Sequence, residues 1–227
     1  MKDIRIALIG AGQIARTTHI PCLRQAGGAE IAAVCDVNPE AAKALAEDFG
    51  VPAWYGSHAE MLQAERPDAV VVCVPNRFHC STTLDALEAG CHVLCEKPPA
   101  MTPEEAERME TLAREKGLLL TYGFHFRHMP QVRILKEMMA AGELGAVYHT
   151  EVRWTRRRGI PGWGSFTNKA MQGGGPLIDI GAHLLDTALY LLDYPEISYV
   201  TAVSSDRIGK QGGTGRMGSL YVERFKV

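Results

Sequence analysis

The sequence lacks a long uninterrupted hydrophobic run. No stretch approaches the roughly 18 apolar residues that a membrane-spanning helix requires. The first apolar run, Ile4–Ile9, is short and ends at a glycine, which is typical of a buried strand and not of a cleavable leader. We therefore expect a cytoplasmic protein with no membrane partner.

The sequence also lacks an excess of charge of either sign. Its 227 residues carry a formal net charge of -2, so no general attraction to nucleic acid or anionic membranes is expected. Arginines cluster at 153 and 156–158, but strand alternation would divide them between two faces, and only Trp154 interleaves them with an aromatic ring. The cluster therefore indicates an interface or a solvated rim, and we expect no nucleic-acid partner.

Cysteine is absent from the second half of the chain. All six cysteines lie between residues 22 and 95, mostly in apolar runs, which favours free buried thiols over a disulfide framework. Cys91 and Cys95 flank His92, but on a strand residues four apart are separated by about 13 Å, too far to share one ion. We therefore predict no metal site.

Up to about residue 122, short apolar runs alternate with amphipathic segments. The predicted strands are Ile4–Ile9, Glu30–Asp36, Ala69–Val74, His92–Glu96 and Leu118–Tyr122. The predicted helices are Gln13–Gln25, Pro39–Phe49, His58–Ala64, Phe78–Ala89 and Pro103–Lys116, the last with a capping-box start at Thr102 and an end at Gly117. This alternation predicts an α/β domain over residues 1–122, with a doubly wound parallel sheet covered on both faces.

After Gly123 the pattern changes. Helices are predicted over Pro130–Ala141 and Leu177–Leu192, separated by a glycine-rich stretch from Gly159 to Pro176. Strands are predicted over Val147–Arg157, near Ile197–Ser205, and over Ser219–Val227. These elements indicate a second α/β domain over residues 123–227 with a mostly antiparallel open sheet. Because the chain stops inside a strand-like run, we expect an incomplete domain in a fragment of a longer protein; the alternative is an edge covered by another subunit.

A glycine motif, Gly10-Ala11-Gly12-Gln13-Ile14-Ala15, follows the first strand and opens a helix. Gly10 permits a tight turn, Gly12 lets the backbone approach a pyrophosphate, and the helix N-terminus offers N–H groups to phosphates. Asp36 ends the second strand, where a carboxylate accepts hydrogen bonds from an adenosine ribose diol. No arginine stands at 37 or 38, so NAD is favoured over NADP. The alternative is a structural turn with Asp36 as a loop cap.

Further polar residues follow other strands of the predicted sheet. Lys97, within Glu96-Lys97-Pro98, follows the strand His92–Glu96 and emerges on the same side as the glycine loop. It could hydrogen-bond a substrate hydroxyl and favour its alkoxide, or it could be a solvated loop lysine. Asn76 could contact the nicotinamide ribose or act as the N-cap of the following helix.

A third motif lies in the second half, after three glycines at 173–175. Asp179 and His183 are four apart on a predicted helix and share one face, with Asp186 a further turn along. Histidine titrates near neutrality, which suits proton transfer, and a neighbouring carboxylate can orient a hydroxyl or raise the basicity of the imidazole. The alternative is a first-turn aspartate favoured by the helix dipole and a histidine at the edge of the core.

Together, the glycine motif, Asp36, Pro75-Asn76-x-x-His79, Glu96-Lys97-Pro98 and Asp179-x-x-x-His183 resemble the Gfo/Idh/MocA oxidoreductase family over nearly the whole chain. The resemblance implies a Rossmann domain followed by an α/β domain whose open sheet makes homodimer or homotetramer contacts. It also implies oxidation or reduction of a secondary alcohol of a sugar, glycoside or cyclitol with NAD(P).

The resemblance also implies roles for individual residues. Lys97 would polarise the reacting hydroxyl, Asp179 would bind substrate or tune the histidine, and His183 would be the general base in oxidation. Trp163, within the stretch 156–168, would contact the sugar or anchor its loop. The implied cofactor-binding residues are Gly10, Gly12, Gln13, Ile14, Asp36, Pro75, Asn76, His79, Glu96 and Lys97.

Two other functions use the same residues. An NAD-dependent glycosidase of this family would oxidise its substrate transiently beside the glycosidic bond and release no net NADH. A regulator that senses NAD or sugar would bind without turnover, but it would be expected to have lost the lysine or the histidine. Both residues are present, so a dehydrogenase is favoured.

Overall fold

The computed structural model describes residues 3–155 and 164–205, together with the backbone of residues 215–217 and 220–222. The chain divides into two compact units, Met1–Gly123 and Phe124–Val227. Each unit has its own secondary structure.

A six-stranded, wholly parallel sheet forms the first unit, with the strand order β3-β2-β1-β4-β5-β6. The strands are β1 (Ile4–Ile9), β2 (Ala29–Cys35), β3 (Ala53–Tyr55), β4 (Ala69–Val72), β5 (His92–Cys95) and β6 (Leu120–Tyr122). The predicted doubly wound parallel sheet is confirmed.

Both faces of this sheet are buried. In β1, Ile6 and Leu8 belong to one apolar cluster, and Ala7 and Ile9 belong to another. Successive side chains of a strand point to opposite faces, so the two clusters lie on opposite sides of the sheet. A strand buried on both faces needs apolar residues at consecutive positions, which explains the uninterrupted run in β1.

Helices connect the strands. They are α1 (Ile20–Ala26), preceded by a π-helical stretch (Ala15–His19), α2 (Pro39–Phe49), α3 (His58–Glu65), α4 (His79–Glu88) and α5 (Pro103–Lys116). The predicted cap of α5 is confirmed, because the Thr102 side chain accepts a hydrogen bond from the Glu105 N–H and Gly117 ends the helix with a φ of 65°.

The strand β3 is absent from the sequence-based prediction. It has three residues and lies at one edge of the sheet, where β2 is its one partner strand among the described residues. Its side chains are half-buried or exposed, so it lacks the apolar run that marks the central strands. This segment is a strand because it pairs with β2, and its own residue types do not predict one.

The second unit contains α6 (Pro130–Ala140), the short α7 (Lys169–Gln172), a π-helical stretch (Leu177–Gly181) that leads into α8 (Ala182–Leu191), and an antiparallel pair, β7 (Gly215–Met217) and β8 (Leu220–Val222). Both predicted helices are therefore present. The helix α7 lies inside the stretch that was expected to be a glycine-rich loop.

The expected mostly antiparallel open sheet is not confirmed. Within the described residues, 147–155 and 197–205 form no regular strand, although both segments were predicted to be strands. Tyr148 and Val203 are almost fully exposed. Alternating side chains show that a segment can cover one face of a sheet, but a strand also needs a neighbouring strand to accept its hydrogen bonds. For these two segments the described residues supply no such neighbour.

The six cysteines are all free thiols. Five are buried, as expected, whereas Cys22 on α1 is exposed. Burial raises the pKa of Cys35 and of Cys95 to about 12 and keeps both thiols protonated. No helix in the described part of the chain is long and apolar enough to cross a membrane.

Candidate active site

The functional residues predicted in the first unit follow the carboxyl ends of its parallel strands. Gly10 follows β1, Asp36 follows β2, Asn76 lies beyond β4, and Lys97 follows β5. Because β1 and β4 are neighbours and the strand order reverses between them, the sheet has its topological switch point there. Ligands of open parallel sheets bind outside the carboxyl edge at such a point.

The two glycines of the glycine loop have different surroundings. Gly10 has a φ of 107°, and a Cβ atom there would lie 2.4 Å from the carbonyl oxygen of Cys73. Its N–H donates to the Cys35 carbonyl at 2.7 Å, so the turn crosses close above β4 and β2. At Gly12, by contrast, a Cβ atom would meet no atom of the described residues within 4 Å, apart from the adjoining chain. That open side suits a pyrophosphate approaching the start of the helix.

Asp36 connects the glycine loop to the loop that follows β2. Its Oδ2 accepts a hydrogen bond from the Ala11 N–H at 2.8 Å, and its Oδ1 accepts one from the Asn38 N–H at 2.9 Å. Each carboxylate oxygen can accept a second hydrogen bond, so both retain capacity for the two hydroxyls of a ribose. Asp36 is therefore a loop cap in this structure and is also suited to hold an adenosine ribose.

Glu96 is held by hydrogen bonds beside Lys97. His19 Nε2 lies 2.8 Å from Glu96 Oε1, and the Lys97 N–H donates to Oε2 at 3.2 Å. Burial would raise the pKa of Glu96, but the hydrogen bond and charge of His19 and the Lys97 N–H outweigh it and hold this pKa below its usual value. A Cβ at Gly123 would lie 2.9 Å from Oε2, so glycine at the end of β6 leaves room for the carboxylate.

His79 was predicted to be a cofactor-binding residue, and the structure shows that its ring nitrogens contact the protein backbone. The ring is 1% exposed, with Nδ1 lying 2.7 Å from the Pro98 carbonyl and Nε2 lying 2.9 Å from the Val74 carbonyl. Burial lowers the pKa of His79, against the effects of both carbonyls and of Glu96. Both ring nitrogens of His79 therefore face the protein backbone. The motif spacing showed that the residue belonged to the site region but could not show which way the ring pointed.

Asn76 begins a short 3-10 turn, Asn76–Phe78, immediately before α4. The N-cap residue of α4 is Phe78, without a side-chain cap, so Asn76 is not the N-cap of that helix. The structure therefore removes one of the two explanations for this residue.

In the second unit, His183 is the second residue of α8 and is only 8% exposed. Its ring stacks on Phe126 with centroids 4.6 Å apart and an interplanar angle of 17°. The His125 and His183 rings meet in a T-shaped arrangement with centroids 4.8 Å apart, and Phe126 stacks on Trp154 with centroids 5.7 Å apart. These rings restrict the orientation of the imidazole. Sequence reasoning missed them, and the run Phe124-His125-Phe126 is the signal that could have indicated them.

The two aspartates near His183 differ in their surroundings. Asp179 lies in the π-helical stretch and is half-buried. Asp186 is buried, and both of its oxygens accept hydrogen bonds from Arg127, whose guanidinium also lies over the rings of Phe124, Tyr190 and Tyr194. The hydrogen bond to Asp186 raises the pKa of Arg127. Asp186 therefore stabilises this unit through Arg127, and Asp179 is the better candidate for chemistry. Trp163 lies outside the described residues.

An open groove of about 790 Å³ lies at the opposite, amino-terminal edge of the sheet, among residues such as Arg66, Asp68 and His92. It contains none of the predicted site residues. The predicted site residues lie instead around the switch point of the sheet, where ligands of open parallel sheets generally bind. The described residues contain no cluster of three or more side chains able to hold a metal ion.

The strand order, the glycine turn and Asp36 together define a dinucleotide-binding Rossmann domain. Residues 4–124 match the family model described as an oxidoreductase family with an NAD-binding Rossmann fold, and residues 132–222 match the GFO/IDH/MocA C-terminal domain. The chain belongs to the Gfo/Idh/MocA oxidoreductase family.

Known relatives extend this similarity. The chain is 50% identical over 226 residues to D-glucoside 3-dehydrogenase of Escherichia coli (strain K12). The matched region covers 100% of this chain and 64% of that relative. It is 34% identical over 213 residues to 1,5-anhydro-D-fructose reductase of Ensifer adhaerens, covering 92% of the chain and 62% of the relative. The chain thus spans less than two thirds of the length of these relatives.

Among solved structures, an NAD-binding protein from Listeria innocua is 34% identical, with a TM-score of 0.75 over 85% of this chain and 56% of that one. A 3-ketoreductase from Actinomadura kijaniata, solved in complex with NADP and TDP-benzene, is 32% identical, with a TM-score of 0.71 over 84% of this chain and 57% of that one. Proteins similar to this chain therefore include binders of NAD and of NADP.

The two glycines of the loop should respond differently to the same substitution. Gly10→Ala forces a Cβ against the Cys73 carbonyl at a positive φ, so we expect it to destabilise the fold by roughly 2–4 kcal/mol. Gly12→Ala meets open space, so we expect near-normal stability but NAD affinity weakened by roughly tenfold or more. Urea unfolding and NAD titration would measure the two effects. Equal loss of stability in both variants would contradict this assignment.

Glu96 should contribute a pH-dependent stability. Because its folded pKa is lowered, its contribution is present above the usual glutamate pKa of 4.5 and is lost as pH falls through the lower folded value. We expect Glu96→Gln to cost about 1–3 kcal/mol at pH 7, with the difference from wild type shrinking progressively below about pH 4.5. Urea unfolding of both proteins from pH 7 to 3.5 measures it. A difference that stays constant over this range would show that the Glu96 charge contributes nothing.

Proposed function

We propose that this chain carries an NAD-dependent oxidoreductase activity that transfers hydride between nicotinamide and a secondary alcohol of a sugar, glycoside or cyclitol. The observation that carries this proposal is the carboxyl edge of the sheet, where Asp36, the open side of Gly12 and the loop bearing Lys97 lie around one switch point. The similarity to D-glucoside 3-dehydrogenase supports a glycoside substrate, with position 3 of the sugar as the first carbon to test.

The residues that would hold the cofactor form separate groups, and each group would contact a different part of the dinucleotide. The helix start at Gly12, Gln13 and Ile14 would face the pyrophosphate, and Asp36 would accept hydrogen bonds from the adenosine ribose. The loops at Pro75–Asn76 and Glu96–Lys97 would border the nicotinamide half. When bound, the nicotinamide supplies the acceptor for the hydride that leaves the carbinol carbon.

The remaining roles concern the substrate hydroxyl and its proton. Lys97 would donate a hydrogen bond to the reacting oxygen and stabilise developing alkoxide character. His183 would accept the hydroxyl proton during oxidation and return it during reduction, and the stacked ring of Phe126 would keep its imidazole oriented. Asp179 would hydrogen-bond the sugar or the histidine. We propose Trp163 as a contact for the sugar ring.

Substrate oxidation should depend on Lys97 and His183. We expect the wild-type protein to reduce NAD with at least one member of a panel of glucosides, free sugars and inositols, followed by absorbance of reduced nicotinamide. Lys97→Ala and His183→Ala should each lower turnover by roughly 100-fold or more while NAD affinity changes less than about threefold. Lys116→Ala, on the exposed surface of α5, is the matched control and should match wild type.

Three other outcomes of this assay would count against the proposal. Near-normal turnover in either variant would remove that residue from the mechanism. Glycoside cleavage without net NADH release would favour the NAD-dependent glycosidase. Tight binding of NAD or sugar with no turnover of any substrate would favour a regulator.

The preference for NAD over NADP should depend on Asp36. The carboxylate would bond the ribose diol of NAD and repel a 2′-phosphate, so Asp36→Arg should shift the NAD/NADP ratio of kcat/KM toward NADP by roughly tenfold or more. Asp36→Asn, which keeps an acceptor for the Ala11 N–H, is the control for loop geometry and should shift the ratio less. An unchanged ratio in a stably folded Asp36→Arg protein would overturn the assignment.

A further inference from the structure

The loop Glu96–Pro98, called here the Lys97 loop, is contacted on both sides of Lys97 by a histidine. On the amino side, Nε2 of His19 lies 2.8 Å from Oε1 of Glu96. On the carboxyl side, Nδ1 of His79 lies 2.7 Å from the Pro98 carbonyl oxygen. The residue between these two contacts is the lysine proposed to polarise the substrate hydroxyl.

Both contacts are shielded from solvent. The side chains of His19 and Glu96 are 13% and 17% exposed, and His79 is 1% exposed. Water therefore competes poorly for either hydrogen bond, and breaking one would leave a buried polar group unsatisfied.

The two histidines come from two different elements, each of which borders the proposed nucleotide site. His19 ends the π-helical stretch that follows the glycine loop, and His79 begins α4 directly after the turn that contains Asn76. Each contact therefore links the backbone around Lys97 to an element that borders the expected nucleotide site. Neither histidine needs to touch a ligand to do this.

We propose that His19 and His79 are positioning residues that together fix the backbone of Lys97 relative to the glycine loop and the β4 turn. This inference rests on the proposed function, because it concerns the geometry of the lysine used there. His19 would donate through Nε2–H to Glu96. Both ring nitrogens of His79 face carbonyl oxygens, and a neutral ring carries one N–H, so we assign that proton to Nδ1, which makes the shorter contact, to Pro98.

The contacting nitrogen differs between the two histidines, and this allows a sharp test. The amide nitrogen of asparagine can replace Nδ1 of a histidine, whereas that of glutamine can replace Nε2. At position 79 asparagine should therefore keep the contact to Pro98 and glutamine should lose it. At position 19 the order is reversed, so that glutamine keeps the contact to Glu96 and asparagine loses it.

In the full chain, we expect His79→Gln and His19→Asn to lower turnover by roughly tenfold or more, with NAD affinity changed less than about threefold. The conserving variants, His79→Asn and His19→Gln, should stay within about threefold of wild-type turnover. A general destabilisation cannot produce this reversal, because glutamine is the better helix former at both positions. His58→Asn and His58→Gln, at a half-buried histidine paired with Asp85, serve as controls and should match wild type.

Hydrogen exchange in the cofactor-free protein gives a readout that needs no activity. The peptide containing the Glu96 and Lys97 amides should exchange faster in His79→Gln and His19→Asn than in the two conserving variants, at equal global stability. If glutamine outperforms asparagine at both positions, or if neither turnover nor exchange separates the paired variants, the positioning role is overturned. If exchange follows the expected order but the wild-type chain oxidises no substrate, the positioning role stands and the proposed function fails. If one histidine variant does not fold, the pair at the other position decides.

Discussion

The close approach of the chain at Gly10 to the end of β4 is the constraint on which the first unit depends. β1 and β4 are neighbours at the centre of the sheet, and the turn after β1 crosses so close above Cys73 that no side chain fits there. The same turn places the Ala11 N–H against the Asp36 carboxylate and leaves open space at Gly12, before the helix. One turn, at Gly10 and Ala11, thus connects Asp36, which is the acceptor proposed for the ribose, to the helix start proposed for the phosphates.

A second set of constraints acts on individual side chains that the proposed chemistry uses. The Lys97 backbone lies between one part-buried contact, from His19 to Glu96, and one buried contact, from His79 to Pro98. The His183 imidazole is packed among aromatic rings. The supporting groups are histidines, the Glu96 carboxylate, a backbone carbonyl and aromatic rings, and none of them is given a step in the proposed reaction. Such supporting contacts limit side-chain motion before a ligand arrives, and this preorganisation is a general requirement of catalytic geometry.

Prediction from sequence succeeded for features that neighbouring residues determine. It failed for features that depend on contact with a distant segment of the chain. The bounds of β1, the cap at Thr102 and the glycine that ends α5 all follow from neighbouring residues, and the structure shows each of them. The edge strand Ala53–Tyr55 was missed and the strand over 147–157 was wrong in its described part, because pairing with another strand decides both. The orientation of His79 and the pairing of Asp186 with Arg127 were equally invisible, since each depends on residues distant in the chain.

The sequence by itself determined the doubly wound parallel sheet, the glycine turn with its carboxylate at Asp36, and the family to which the chain belongs. These depend on hydrophobic periodicity and on short motifs, which are properties of adjacent residues. Only the tertiary structure decided that His79 faces the protein backbone, that Glu96 bonds His19, and that His183 stacks on Phe126. The physical reason is that hydrogen bonding and packing between distant segments are set by the close approach of elements in three dimensions, and spacing along the chain carries no record of that approach.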